Sequence, residues 1–184
     1  MGMPQASPSW TAEMVRALPE DGKRYEVVDG ELFVTPSPRS PHQRAVRDLS
    51  YTRHAYVVRH GLGEVLFSPA DIELDARTLV QPDVFVHAGI IREWNDGTPL
   101  LLVVEVLSPS TARADRTIKR RRYQRAGIPE YWIVDLDARI VERWRPGDER
   151  PEVLGDLVTW QPRPDLAAFS LELPAFFATV HAES

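Results

Sequence analysis

Apolar and polar positions change their period several times along this chain, and each change marks an element. Residues 11–18 carry apolar positions three and four apart and stop at Pro19, which predicts a short helix. Residues 25–28 and 31–34 are short strand patterns on either side of Asp29-Gly30, a dipeptide suited to a type I′ turn, and so predict a hairpin. Residues 35–41 form a proline-rich loop whose Ser40-Pro41 offers an N-cap and a first helical position. The helix expected from about 41 to 60 puts Ala45, Val46, Leu49, Tyr56 and Val57 on its inner face. Residues 64–68 and 71–74 are strand-like and interrupted at Pro69. Residues 79–86 read as one strand, with Pro82 at its start or on an edge because proline cannot donate to a ladder. A surface loop over residues 90–99 follows.

Residues 100–107 are the most informative stretch: seven apolar residues surround one carboxylate, Glu105. That is how a strand buried on both faces reads when its one polar residue stands at the rim of a site. Such a carboxylate is either protonated or partnered, and a divalent metal is one partner that suits it. The hydroxyls of Ser108, Ser110 and Thr111 then cap a helix expected over 112–126, closed by Gly127 and Pro129. At about 100° per residue, Ala112, Arg116, Lys119, Tyr123 and Ala126 share the arc facing the sheet. Arg120 falls at its edge, and Arg121 and Arg125 on the far side. Residues 131–135 and 140–144 predict a second hairpin, 153–160 and 169–173 are weaker strands, and the last residues form a short helix or tail. This order predicts an α/β fold, a mixed β-sheet flanked by helices, with one domain over residues 11–180 after an N-terminal tail of residues 1–10.

Composition removes several function classes. There is no cysteine, so disulfides, thiolate metal sites and a cysteine nucleophile are out. No apolar run approaches a membrane helix, and residues 1–10 carry no signal-peptide pattern, so a cytoplasmic protein without membrane contact is expected. The net charge of −5 is unevenly spread. Residues 113–125 hold seven basic residues and one acid, a local +6, which leaves −11 on the remainder. That basic stripe is either a solvated helix face or a footprint for phosphates. Lys23 and Lys119 are the only lysines against 20 arginines, so Lys119 within the stripe stands out as a compact, titratable ammonium among planar guanidinium groups.

Asp83 and Glu105 lie on consecutive strands, which usually pair, so their carboxylates could converge at one end of the sheet. A hard oxygen pair completed by water and a substrate phosphate suits Mg²⁺ or Mn²⁺. A lysine from the next helix, Lys119, could then hold the attacking water, with Arg116, Arg120 and Arg121 alongside for the phosphate backbone. Gln81 and Ser108 adjoin this centre in sequence. His42 could reach it from the start of its helix or serve as a cap or surface residue. Glu31 reads as a solvated strand residue or a further ligand, and Tyr123 as core or as a base-stacking platform. A metal-free acid and base pair made by Asp83 and Glu105 is another chemistry the same residues permit.

Pro82-Asp83, the segment from Glu105 to Thr111, Lys119, Tyr123 and the segment from Gly127 to Asp135 together resemble the bacterial Uma-two family, a group of restriction-endonuclease-like proteins in the PD-(D/E)XK nuclease superfamily. The Asp29-Gly30-Glu31 hairpin and the loop leading to His42 extend the resemblance over residues 25–144. It implies a restriction-endonuclease-like core and metal-dependent phosphodiester hydrolysis of nucleic acid, with DNA the expected substrate and Asp83 and Glu105 as metal ligands. A homodimer is expected, because cutting two strands favours paired sites. One position departs from the superfamily pattern: Leu107 stands two residues after Glu105, where the lysine normally lies. Lys119 is the candidate for a lysine displaced onto the following helix. A protein that binds nucleic acid without cutting it is the alternative that Leu107 favours.

Overall fold

The computed structural model describes residues 9–92 and 99–182. The hydroxyl of Thr11 accepts the Met14 amide and so caps α1 (Ala12–Arg16). The expected hairpin follows as β1 (Arg24–Val28) and β2 (Glu31–Thr35). Asp29 and Gly30 both adopt positive φ, 51° and 86°, as a type I′ turn requires. Helix α2 (Ser40–Arg59) has Pro41 in its first turn; its cap position is Arg39 rather than Ser40, and no side chain closes it. Strands β3 (Gly63–Phe67) and β4 (Ile72–Asp75) lie on either side of Pro69, as expected, but join different sheets.

The strand expected over residues 79–86 is instead two. Strand β5 (Thr78–Val80) pairs with β1 and β4, whereas β6 (Val84–Ala88) pairs with β3 and with β7 (Leu100–Val106). Pro82 has no N–H to carry a ladder onward, so Gln81-Pro82-Asp83 becomes the crossing from one sheet to the other. The loop expected over 90–99 falls largely outside the described residues. Strand β7 pairs in parallel with β8 (Tyr131–Asp135), reached through a π-helical turn (Ala114–Lys119) that runs into α3 (Arg120–Arg125). The chain continues as β9 (Ile140–Trp144) and β10 (Glu152–Leu154). The weak pattern over 153–160 is split at Gly155-Asp156, because its second half, β11 (Leu157–Trp160), turns away to pair with β12 (Phe169–Glu172) before α4 (Leu173–His181).

Strand order is β10-β9-β8-β7-β6-β3 in the large mixed sheet and β2-β1-β5-β4 in the smaller one. One face of the large sheet packs Val84, Val104, Val106 and Trp132 against α2 and α4; the other packs Phe85, Val103 and Ile133 against Tyr123 of α3 and Val80 of the small sheet. Layers on both faces explain why β6, β7 and β8 read as unbroken apolar runs. No helix among the described residues is long and apolar enough to cross a membrane.

Arg53 is a charge inside the α2 layer. It is fully buried, donates from Nη1 to the Leu49 carbonyl at 2.9 Å, and lies 4.6 Å from the ring centroid of Trp132 and 5.1 Å from that of Phe169. Its Nε and Nη2 have no hydrogen-bond partner among the described residues. Burial pushes its pKa down from the ordinary arginine value to about 9, opposed only in part by the charge of Glu130. Between those two values the folded chain binds fewer protons than the unfolded one, so stability should rise with pH across that window and be level below it. Arg53→Met is expected to raise stability at pH 7 by about 1–4 kcal/mol and to flatten the rise above pH 9, as when other buried charges give way to apolar side chains. Denaturant unfolding at pH 7 and pH 10 checks this. A less stable methionine variant would mean that the ring contacts outweigh the desolvation.

Candidate active site

Alternation along β7 places Val104 and Val106 in the α2 layer and turns Glu105 toward the α3 side, beneath Lys119 and Tyr123. Lys119 Nζ donates to Glu105 Oε1 at 3.1 Å, and the Tyr123 hydroxyl donates to the same oxygen at 3.2 Å. The same Nζ forms ion pairs with Glu26 Oε2 at 2.8 Å and with Asp115 Oδ1 at 3.5 Å. Lys119 is thus enclosed by three carboxylates. All four residues are buried.

Asp83 sits at the crossing between the sheets, one residue before β6. The register Val84↔Val104 brings it to the end of β7 that carries Glu105. Arg24 Nη1 donates to its Oδ1 at 2.7 Å, the Val106 amide donates to Oδ2 at 2.8 Å, and His42 Nε2 lies 3.1 Å from Oδ2. His42 is buried and faces the carboxylate, so its position is neither that of a surface residue nor that of a cap. Gln81 contributes through its main chain, whose N–H donates to Glu26 Oε1 at 2.8 Å, while its side-chain amide turns to Asp71. Ser108 Oγ lies within 3.0 Å of the Ser110 and Thr111 hydroxyls at the start of the crossover helix. Glu31 is exposed on β2, apart from this group.

The helix carrying Lys119 departs from the expected arc. A π turn replaces i→i+4 bonds with i→i+5 bonds and shifts the phase of what precedes it. Asp115, four residues before Lys119, shares the buried side with Lys119 and Tyr123, and the π turn swings Arg116 off it. Arg116 instead pairs with Asp135 at 2.8 Å and Glu142 at 2.7 Å. Arg120 stacks on Trp144, with its guanidinium carbon 4.4 Å from the ring centroid, and donates to Gln124. Arg122 is buried and bonded to Asp75, and Arg125 pairs with Asp29. Much of the basic stripe thus ties the crossover helix to neighbouring strands. Arg121 is exposed and has no acidic partner among the described residues.

Electrostatics set the character of the cluster. Four carboxylates (Glu26, Asp83, Glu105 and Asp115) face two permanent cations, Arg24 and Lys119, a formal excess of two negative charges in a buried site. Burial would push the Asp83 carboxyl up, but the His42 hydrogen bond and the charge of Arg24 overcome it and hold it well below the usual range. Burial pushes Glu105 well up; Lys119 opposes it, and the charges of Asp83, Asp115 and Glu26 add to it. Asp115 is raised for the same first reason. Burial alone would lower Lys119, yet Glu105, Glu26 and Asp115 together hold it well above the ordinary lysine value. Glu105 Oε2 and Asp115 Oδ1 are buried without a hydrogen-bond partner among the described residues.

A buried, under-coordinated oxygen beside an excess of two negative charges suits a divalent ion. Among the described residues, no three carboxylate or imidazole groups are arranged to form a metal cage from protein alone. Mg²⁺ does not need one, since it takes one or two carboxylates and keeps several waters. Asp83 and Glu105 fit that requirement.

Glu26, Arg24 and Asp115 are the members that sequence reasoning missed. Asp115 carried a signal: it is the single acid of the basic stripe and stands four residues before Lys119. Glu26 interrupts an otherwise apolar pattern just before the turn, which is the same anomaly that marks Glu105.

One of five matching solved chains is a crystal structure described as "a putative nuclease belonging to DUF820" from Anabaena variabilis ATCC 29413. It is 18% identical, superposes with a TM-score of 0.75, and the match covers 93% of this chain and 99% of that one, which establishes the shared fold. No curated protein matches the chain. The model of the Uma2 family, described as "Putative restriction endonuclease", matches residues 12–174, which take in every member of the cluster, and the chain belongs to that family.

Proposed function

We propose that this protein is a divalent-metal-dependent nuclease that hydrolyses phosphodiester bonds, with DNA as its substrate. The observation that carries the reading is the buried excess of carboxylate around Lys119, with Glu105 Oε2 left unpartnered. Asp83 and Glu105 would hold the ion. When bound, such an ion polarises a phosphoryl oxygen and lowers the pKa of its water.

The chain's own groups supply the rest. Arg24, His42 and the Val106 amide fix the Asp83 carboxylate in one orientation and keep it ionised. Tyr123 holds Glu105 Oε1 in place by hydrogen bonding. Glu26 and Asp115 hold the Lys119 ammonium charged at the cluster, where it can donate to a water or a developing oxyanion. Exposed Arg121 adds a cation for the phosphate backbone.

A second reading is nucleic-acid binding without cleavage. It is favoured by Leu107, which stands where the superfamily's lysine normally lies. The first reading requires that millimolar Mg²⁺ or Mn²⁺ raise the midpoint of thermal unfolding, because an ion that binds only the folded state adds stability by mass action, about 2.7 kcal/mol at a hundred times its Kd. Asp83→Asn should abolish the rise. An unchanged midpoint in the wild type would remove the main support for a metal site and favour the second reading.

A further inference from the structure

A groove of about 410 Å³ lies between the outer face of α2 and β3, lined by Gln43, Arg47, Tyr51, His54, Phe67 and Ser68. Strand β3 is the last of the six-stranded sheet, so nothing in that sheet covers this side. Two of the groove's lining residues adjoin the candidate active site through the backbone. Gln43 follows His42, whose ring meets the Asp83 carboxylate, and the Ser68 amide donates to the Asp83 carbonyl at 3.2 Å. Tyr51 is 80% exposed and Phe67 56% exposed, two large aromatic surfaces on the same feature. Single exposed apolar residues are ordinary, but two aromatic rings lining one groove beside a site point to a ligand with a flat apolar face.

Charge narrows the ligand further. Helix α2 carries four arginines against one acid, Asp48, but Arg53 is buried in the layer beneath and Arg44 turns to the Val180 carbonyl, so the arginine that lines the groove is Arg47. It is exposed, with its Nε donating to Asp48 Oδ1 at 2.7 Å. The amide of Gln43, the imidazole of His54 and the hydroxyl of Ser68 offer donors and acceptors along the same groove. The volume is that of a small-ligand site. A stable protein partner would instead need about 800 Å² on this side.

We propose that this groove receives an unpaired nucleobase of the strand whose phosphate lies at Asp83 and Glu105, so that the substrate is single-stranded or opened next to the cleaved bond. The inference rests on the nuclease reading above and adds the state of the strand. An aromatic ring stacks on any base because every base has a π-face, and a duplex keeps its bases stacked on each other. The chain therefore favours unpaired nucleic acid over duplex.

The test uses the full chain with a short DNA strand carrying 2-aminopurine, alone and annealed to its complement, with binding read in EDTA and cleavage in Mn²⁺. The single strand should bind more tightly than the duplex and show quenched 2-aminopurine fluorescence. Tyr51→Ala and Phe67→Ala should each weaken single-strand binding by about tenfold, the loss expected for one stacked base. Tyr51→Trp should restore it, which a merely structural role would not, and unfolding midpoints should stay at the wild-type value because both rings face water. Alanine variants that bind and cleave like the wild type would overturn the inference and leave the nuclease reading standing. Variants that change the sedimentation of the protein but not its affinity for the strand would assign the groove to a second copy of the chain, and also overturn it. A wild type that neither binds nor cuts any strand would sink both.

Discussion

Lys119→Met is expected to lower stability by about 3–5 kcal/mol, the loss that follows when one partner of a buried ion pair is removed and the other stays behind. For a chain of this length that corresponds to a fall in Tm of roughly ten degrees or more. Two effects oppose each other. Methionine spares the desolvation of a buried ammonium, but Glu26, Glu105 and Asp115 lose the cation they share, and only Arg24 remains near Asp83. Three stranded carboxylates outweigh one relieved amine. Lys119→Arg separates charge from geometry: it keeps the cation, so it should retain more stability than methionine, yet it should lose cleavage by about a hundredfold or more, because a planar fork cannot take the place of a point donor. Thermal unfolding and single-turnover cleavage of both variants check this. A methionine variant as stable as the wild type would show that protons, not Lys119, neutralise the cluster.

Glu105→Gln is expected to gain stability and lose activity together. Burial and the neighbouring acids raise the folded pKa of Glu105 above its unfolded value of 4.5. An acid shifted in that direction contributes stability that is complete below 4.5 and is lost as pH rises toward the folded pKa. Glutamine does not titrate, keeps an oxygen to accept from Lys119 and Tyr123, and removes one of the two excess negative charges. The metal-free variant should therefore be more stable than the wild type at pH 7, with the difference vanishing near pH 4. Millimolar Mn²⁺ should narrow or reverse the difference by stabilising only the wild type. Stability stored against function in this way is the trade-off expected of an active site. A variant that is less stable than the wild type at pH 7 would mean that the Lys119–Glu105 pair outweighs burial and repulsion.

Asp83, Glu105 and Lys119 could be picked from the sequence because each is an exception to its surroundings: a carboxylate in an apolar run, a carboxylate after a strand-breaking proline, a lysine among arginines. Their proximity follows from strand order, which consecutive pairing makes legible. The split at Pro82 was not legible, since short strands on each side of the proline have the same composition and only the second sheet separates them. Choosing Glu31 over Glu26 has a similar origin. A hairpin displays both faces alike until another layer covers one, and here β5 and the crossover helix cover the face bearing Glu26. The π turn swung Arg116 off the buried arc, whereas Asp115, four residues before Lys119, lies on that arc in a regular α-helix too. The ion pairs that occupy Arg116, Arg122 and Arg125 reach acids 19 to 96 residues distant in sequence, where local pattern says nothing.

The central claim, that Asp83 and Glu105 form the metal site of a nuclease, is tested most directly by single-turnover cleavage of an end-labelled DNA strand by the wild type in Mn²⁺, in Mg²⁺ and in EDTA, with Glu105→Gln run alongside. The account expects cleavage by the wild type in at least one of the two metals, none in EDTA, and a rate at least about a hundredfold lower for Glu105→Gln despite its more stable fold. Cleavage that persists in EDTA, or that Glu105→Gln carries out at the wild-type rate, would contradict it.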